Sequence, residues 1–294
     1  MTNHESDQIT GSPVRCELCP HHCEIRPGKV GICKVRTNRN GKIELLKYGR
    51  VSALALDPIE KKPLFHFHPG KWIFSVGTFG CNMRCPFCQN AAISMTDGER
   101  TDRLFSERAV AEHSPEELVE MALRHRSTDN IGVAFTYNEP LVALEYVRDT
   151  FELARKADLE TVLVSNGCFE QRTIETISPL TTAWNIDLKA FTTEHYRALG
   201  GDLEAVKNTI RMVAPIAHLE VTTLIVPNFN DSLEELGELA GWLASVNPNI
   251  PLHLSRFFPN YKVKDERPTD LALMMSARKM AQNHLRHVYL GNCP

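Results

Sequence analysis

Residues 72–88 read Trp72-Ile73-Phe74-Ser75-Val76-Gly77-Thr78-Phe79-Gly80-Cys81-Asn82-Met83-Arg84-Cys85-Pro86-Phe87-Cys88, an apolar run that breaks at glycine into a loop with three cysteines spaced C-x3-C-x2-C. The run Trp72–Gly77 has the length and composition of a buried strand. Three thiolates fall one short of the four that close a structural zinc site, and no fourth Cys or His lies adjacent. A cube of four irons held by three cysteines keeps one iron without a protein ligand. That iron can chelate the amino and carboxylate groups of a bound cofactor. The competing reading, a zinc knuckle, leaves the fourth ligand unaccounted for.

Outward from this loop, short apolar or β-branched runs alternate with longer amphipathic ones. Strands are expected over Trp72–Gly77, 132–136, 161–165, Ala183–Asp187, 218–224 and 251–255. Ser114-Pro115-Glu116-Glu117 is a capping box with proline at the first helical position, followed by Leu118, Met121 and Ala122 on one face. Ser232 with Glu235 repeats the box ahead of Leu233, Leu236, Ala240 and Leu243. Six β-α units with right-handed crossovers make an α/β fold that curls toward a barrel, with function gathered at the C-terminal ends of the strands. The expected division is an N-terminal Cys-rich extension over 1–65 and a core domain over 66–294.

The strand ends carry polar groups in turn. After the second comes Thr136-Tyr137-Asn138-Glu139-Pro140, which by itself also reads as a helix N-terminus with Pro140 in its first turn. After the third, Ser165-Asn166-Gly167 offers a hydroxyl and an amide to a ribose or carboxylate, or forms a plain turn. The two-residue period puts Asp187 and Lys189 on one side of the fourth strand, facing a ligand or forming a structural pair. His253 reads as a core histidine sooner than a catalytic one. Ser255, Phe257, Phe258 and Tyr261 are candidates to close the substrate side.

A second group, Cys16-x2-Cys19-x3-Cys23-x9-Cys33 with His21 and His22 inside it, supplies enough thiolates to close a metal site for zinc or for a second iron-sulfur cluster. Nine cysteines without an export signal argue for metal binding rather than disulfides. The 294 residues carry a formal charge of -3, 43% apolar and 23% charged residues, which favours neither disorder nor nucleic-acid binding. No run approaches the roughly 18 to 20 apolar residues of a spanning helix, so no membrane and a cytoplasmic location are expected.

The run Cys81–Cys88, with Phe87 in the aromatic place, resembles the C-x3-C-x-aromatic-C motif of the radical S-adenosylmethionine (SAM) superfamily. That resemblance implies a TIM-type partial (β/α)6 barrel and a 4Fe-4S cluster on Cys81, Cys85 and Cys88. It implies Phe87 beside the adenine of SAM, and Glu139 with Asn138 at its amino group, although Tyr137 and Asn138 stand where many members have glycines. The implied chemistry is reductive cleavage of SAM to methionine and a 5'-deoxyadenosyl radical that takes hydrogen from a substrate. CxxCPHHC, ALDPIEKKPLFHFHPG, GCNMRCPFCQN, TYNEP, SNG, NIDLKAF, EVTTLIVPNFND and HLSRFFPNYK together resemble the radical SAM enzyme of the AmmeMemoRadiSam system, a group related to pyruvate formate-lyase-activating enzymes. This chain stops at Gly291-Asn292-Cys293-Pro294, short of the Cys-bearing tail common in that group. The implied partners are an electron donor such as flavodoxin or ferredoxin, and Memo or AMMECR proteins as substrates or neighbours. Two other readings compete: an activase that places a glycyl radical on a partner protein, and a non-enzymatic iron-sulfur electron-transfer module.

Overall fold

A computed structural model describes residues 11–46, 48–95 and 112–294. Its main feature is an eight-stranded sheet ordered β12-β11-β10-β9-β8-β7-β6-β5. The strands are β5 Ala53–Pro58, β6 Trp72–Gly77, β7 Asn130–Thr136, β8 Glu160–Ser165, β9 Ala183–Asp187, β10 His218–Ile225, β11 Leu252–Arg256 and β12 Val288–Gly291. From β6 to β12 every neighbour is parallel, and β5 closes one edge antiparallel to β6. All six expected strands form, with ends moved by at most two residues. Two more join them: β12, whose four residues carry too short a pattern to read, and β5, which lies within the stretch read as extension. Residues 53–64 therefore pack with the sheet, while β1 Val14–Arg15, β2 Glu24–Ile25, β3 Arg36–Arg39 and β4 Lys42–Leu45 form two separate hairpin ladders. Among the described residues no ladder joins β12 to β5, so the barrel is partial.

Helices cover the outer face. The Ser114 box forms in full: Glu117 donates its N–H to the Ser114 hydroxyl at 3.3 Å, and its carboxylate accepts the Ser114 N–H at 2.9 Å. At Ser232 only half of the expected box exists. Its hydroxyl accepts the Glu235 N–H, but the Glu235 carboxylate is drawn away to the Phe191 N–H at 2.6 Å and to His195. A buried backbone donor outcompetes a cap that water can also satisfy. Helix Leu144–Lys156 buries Tyr146, Val147, Thr150, Phe151 and Ala154 along one stripe. Phe135 of β7 meets both aromatics, 5.8 Å from Tyr146 and 5.7 Å from Phe151. Burying one such side chain contributes about 2–3 kcal/mol.

The inner face follows from the strand period of two. Ile73, Ala134, Val162 and Ala183 form an apolar layer closed by Ile59 and Leu64 from the segment after β5. Asn185 and Glu220 on the same faces hold that segment through the Pro63 carbonyl (2.8 Å) and the His66 N–H (2.7 Å). Residues 59–68 thus plug the barrel from the N-terminal side. The next positions toward the C-terminal ends, Thr136, Val164, Asp187, Thr222, Leu224 and Ser255, are left facing a cavity.

Candidate active site

That cavity holds about 310 Å³, within the usual range for a small-molecule site. Cys81, Cys85, Phe87 and Cys88 line it from the β6 loop, together with Asn138, Glu139, Ser165, Asn166, Asp187 and Lys189. The cofactor-site residues expected from separate strand ends therefore meet in one place.

The cysteine loop is held by neighbours rather than by regular structure. Cys81 Sγ accepts the Met83 N–H at 3.3 Å and lies 3.6 Å from Asn166 Nδ2. Burial pushes the Cys81 thiol well above its ordinary pKa, and pushes Cys85 up to about 11. Such thiols give up their protons to a metal sooner than to water. Asn82, which sequence reasoning passed over, is fully buried and organises the loop. Its amide donates to the Cys168 carbonyl at 2.6 Å, accepts from Asn166 Nδ2 at 2.8 Å, and its own carbonyl meets His21 Nε2 at 2.8 Å. Spacing alone gives no hint of Asn82, because its partners lie more than 60 residues away in each direction.

Glu139 is 2% exposed. It accepts hydrogen bonds from the Asn166 N–H (2.7 Å), the Ser165 hydroxyl (2.9 Å) and the Leu141 N–H (3.1 Å). Burial outweighs these donors and raises its pKa to about 7. Among the described residues no cationic side chain pairs with it. An ammonium group entering the cavity would supply the missing charge, so this site fits the amino group of SAM.

Asp187 and Lys189 form a direct pair, Nζ to Oδ2 2.8 Å. Burial opposes the Lys189 charge, but Asp187 and nearby Cys85 raise its pKa. The pair is structural and lines the cavity as well, so the two sequence readings coexist. Asn138 turns mostly away from a ligand. Its Oδ1 accepts the Thr78 N–H at 2.9 Å and its Nδ2 donates to the Gly80 carbonyl at 3.0 Å, which fixes the entry to the cysteine loop. Phe87 is buried 5.7 Å from Phe229.

On the far side, His253 is buried and bonded to Glu220 at 2.6 Å, as a core histidine. Ser255 lines the cavity, while Phe257 lies in the core and Phe258 is exposed against Arg256. Neither phenylalanine closes the cavity. A wall missed from sequence does so: Lys61, Lys62 and Tyr137. Asp57 joins them, at 2.8 Å from Lys62 Nζ, 3.2 Å from Lys61 Nζ and 2.7 Å from the Tyr137 hydroxyl.

Comparison with known proteins gives the family. Residues 75–243 match the family model described as Radical SAM superfamily. "Uncharacterized protein MJ0808" of Methanocaldococcus jannaschii is 37% identical over 98% of this chain and 84% of its own length. Pyruvate formate-lyase 1-activating enzyme of Escherichia coli is 28% identical over 57% of this chain and 68% of its own. Streptococcus suis SuiB bound to S-adenosylmethionine shares the fold at TM-score 0.58 and 11% identity, covering 75% of this chain and 52% of that one. No helix among the described residues is long and apolar enough to cross a membrane. The family uses a 4Fe-4S cluster with SAM, the cavity offers three thiols and an uncompensated carboxylate for them, and the chain belongs to the radical SAM superfamily.

Proposed function

We propose that this chain is an oxidoreductase that holds its 4Fe-4S cluster on Cys81, Cys85 and Cys88 and cleaves SAM to take hydrogen from a substrate. The convergence of those thiols and Glu139 on one cavity carries the reading. When bound, cluster and SAM supply reductive cleavage of the sulfonium and a 5'-deoxyadenosyl radical. The chain does the rest. Glu139 would receive the amino group, Ser165 and Asn166 hold Glu139 and would offer polar contacts beside it, and Phe87 would lie on the adenine side. Asp187 and Lys189 present paired charges to the polar edges. The plug at residues 59–68 keeps water from entering through the barrel's N-terminal side, which protects a reactive radical.

The motifs from CxxCPHHC to HLSRFFPNYK, taken together, support membership of the AmmeMemoRadiSam group, with Memo or AMMECR proteins as partners. A flavodoxin or ferredoxin as electron donor and a cytoplasmic setting go with that reading. A second reading, an activase that places a glycyl radical on a partner protein, draws on the 28% identity to pyruvate formate-lyase 1-activating enzyme.

The test is anaerobic reconstitution with iron, sulfide and SAM under a strong reductant, measuring 5'-deoxyadenosine. The expected product appears in the wild type. Glu139→Gln weakens SAM binding by about tenfold or more while the fold survives, since a charge-assisted hydrogen bond contributes about 1.5–3 kcal/mol. An intact cluster that yields no 5'-deoxyadenosine sinks the proposal. A carbon-centred radical on the partner, seen only with enzyme, SAM and reductant together, selects the activase reading.

A further inference from the structure

Of the thiols outside the cavity, four cluster between residues 16 and 33. Cys16, Cys19 and Cys33 are buried and Cys23 is half-buried, and all four are free. The chain brings them together: the Cys16 N–H donates to the Cys23 carbonyl at 2.9 Å, and Cys16 lies within electrostatic reach of Cys19, Cys23 and Cys33. We propose that Cys16, Cys19, Cys23 and Cys33 hold a second iron-sulfur cluster, closed by four thiolates, that passes single electrons to the centre on Cys81, Cys85 and Cys88. The choice of iron-sulfur and the relay role rest on the radical SAM reading above; the gathering of four thiols does not.

The first support is a ring of donors. Cys16 receives a backbone hydrogen bond from Leu18, Cys19 from His21, and Cys33 from Val35 and Arg36. Cys23 Sγ accepts the Ile32 N–H at 3.5 Å. Backbone N–H groups aimed at sulfur stabilise the thiolate and tune the metal it binds. The donor two residues on recurs at three of the four cysteines, a repeated local fold.

The second support is a buried cation. Arg36 is 3% exposed, and its guanidinium lies within electrostatic reach of Cys16 and Cys33. Its Nε donates to the Val142 carbonyl at 2.8 Å and its Nη1 to Glu145 at 2.6 Å, but among the described residues Nη2 has no partner. A buried guanidinium donor left unpaired is costly, and a centre with four thiolates would place negative charge beside it. His21 meets the Asn82 carbonyl at 2.8 Å and His22 Nε2 pairs with Glu170 at 3.0 Å. Four thiolates close the site without either histidine.

Iron-sulfur is favoured over zinc by place. Zinc has no redox chemistry and would only pin the segment, whereas an iron-sulfur centre in a segment touching the Cys81–Cys88 loop has a redox partner at hand.

Position gives the role. Gly80, directly before Cys81, has a φ of +86°, and a Cβ built there would lie 2.5 Å from the Cys33 carbonyl oxygen. The two cysteine segments are in backbone contact. Arg84 adds a bond to the Ile32 carbonyl at 3.2 Å, and the Asn82 carbonyl meets His21 Nε2 at 2.8 Å. Four thiolates leave no open iron for SAM or substrate, so electron transfer is the chemistry left. An external low-potential one-electron donor reduces the second cluster, which is reoxidised as the first gains that electron. No bond or proton changes hands.

Mössbauer and EPR spectroscopy with iron, sulfide and zinc analysis test this on the anaerobically reconstituted full chain, beside the variants C81A/C85A/C88A and C16A/C19A. Wild type is expected to hold about eight irons and each variant about four, with SAM perturbing only one of two reduced signals. Reduction of the Cys81 centre by a photoreduced flavodoxin should slow by about tenfold or more in C16A/C19A. About four irons in wild type, with or without one zinc, overturns the proposal, and an unchanged reduction rate overturns the relay. If a variant fails to fold, the wild-type iron count and the SAM-insensitive signal decide. Two clusters of which SAM touches neither would uphold the second cluster and sink the enzymatic reading instead.

Discussion

The two cysteine groups of this chain are built alike and face different ways. Cys81, Cys85 and Cys88 sit on a loop at a strand end and look into a cavity that also holds an uncompensated carboxylate. Cys16, Cys19, Cys23 and Cys33 lie outside that cavity, ringed by backbone donors and one buried arginine. The number of thiolates and what lies across from them decide between chemistry and conduction. A missing fourth ligand is useful only where polar groups stand ready to bring a cofactor to it.

The contrast breaks most sharply at single cysteines. Cys85→Ala should lower 5'-deoxyadenosine formation by about a thousandfold or more with any reductant, because an iron loses its protein ligand. Cys23→Ala should instead slow flavodoxin-driven cleavage far more than dithionite-driven cleavage, as product assays with the two reductants would reveal. Equal losses with both would erase the distinction.

A smaller effect tests whether the regions are mechanically joined. Gly80→Ala forces a side chain into a left-handed backbone, at about 1–2 kcal/mol, and onto the Cys33 carbonyl. Calorimetry should show Tm lower by about 5 °C or more. An unchanged Tm would mean that the extension is only loosely docked.

The smallest effect lies away from both groups, where β10 holds the plug. Glu220 is fully buried. Despite burial, hydrogen bonds from His218, His253 and the His66 N–H lower its pKa from the usual 4.5 to about 2. A depressed carboxyl stabilises the fold above pH 4.5, and that contribution is lost as pH falls toward 2. Glu220→Gln should flatten the denaturation midpoint between those values. If the wild-type curve is already flat there, the acid sensitivity belongs elsewhere.

By itself the sequence determined the three-cysteine loop, six of the parallel strands and the polar strand ends, because each is written in local spacing that survives without context. It also marked the second cysteine group, though not its surroundings. The tertiary structure decided everything that depends on distant partners. Asn138 was turned onto Thr78, and Glu235 was taken from its cap by Phe191. β5 and β12 were recruited as sheet edges, and residues 59–68 became a plug. Among the described residues it also left Glu139 buried without a cation and Arg36 Nη2 without an acceptor. Local spacing encodes which backbone forms, whereas the desolvation of a charge is set by atoms that meet only after the chain has closed around it.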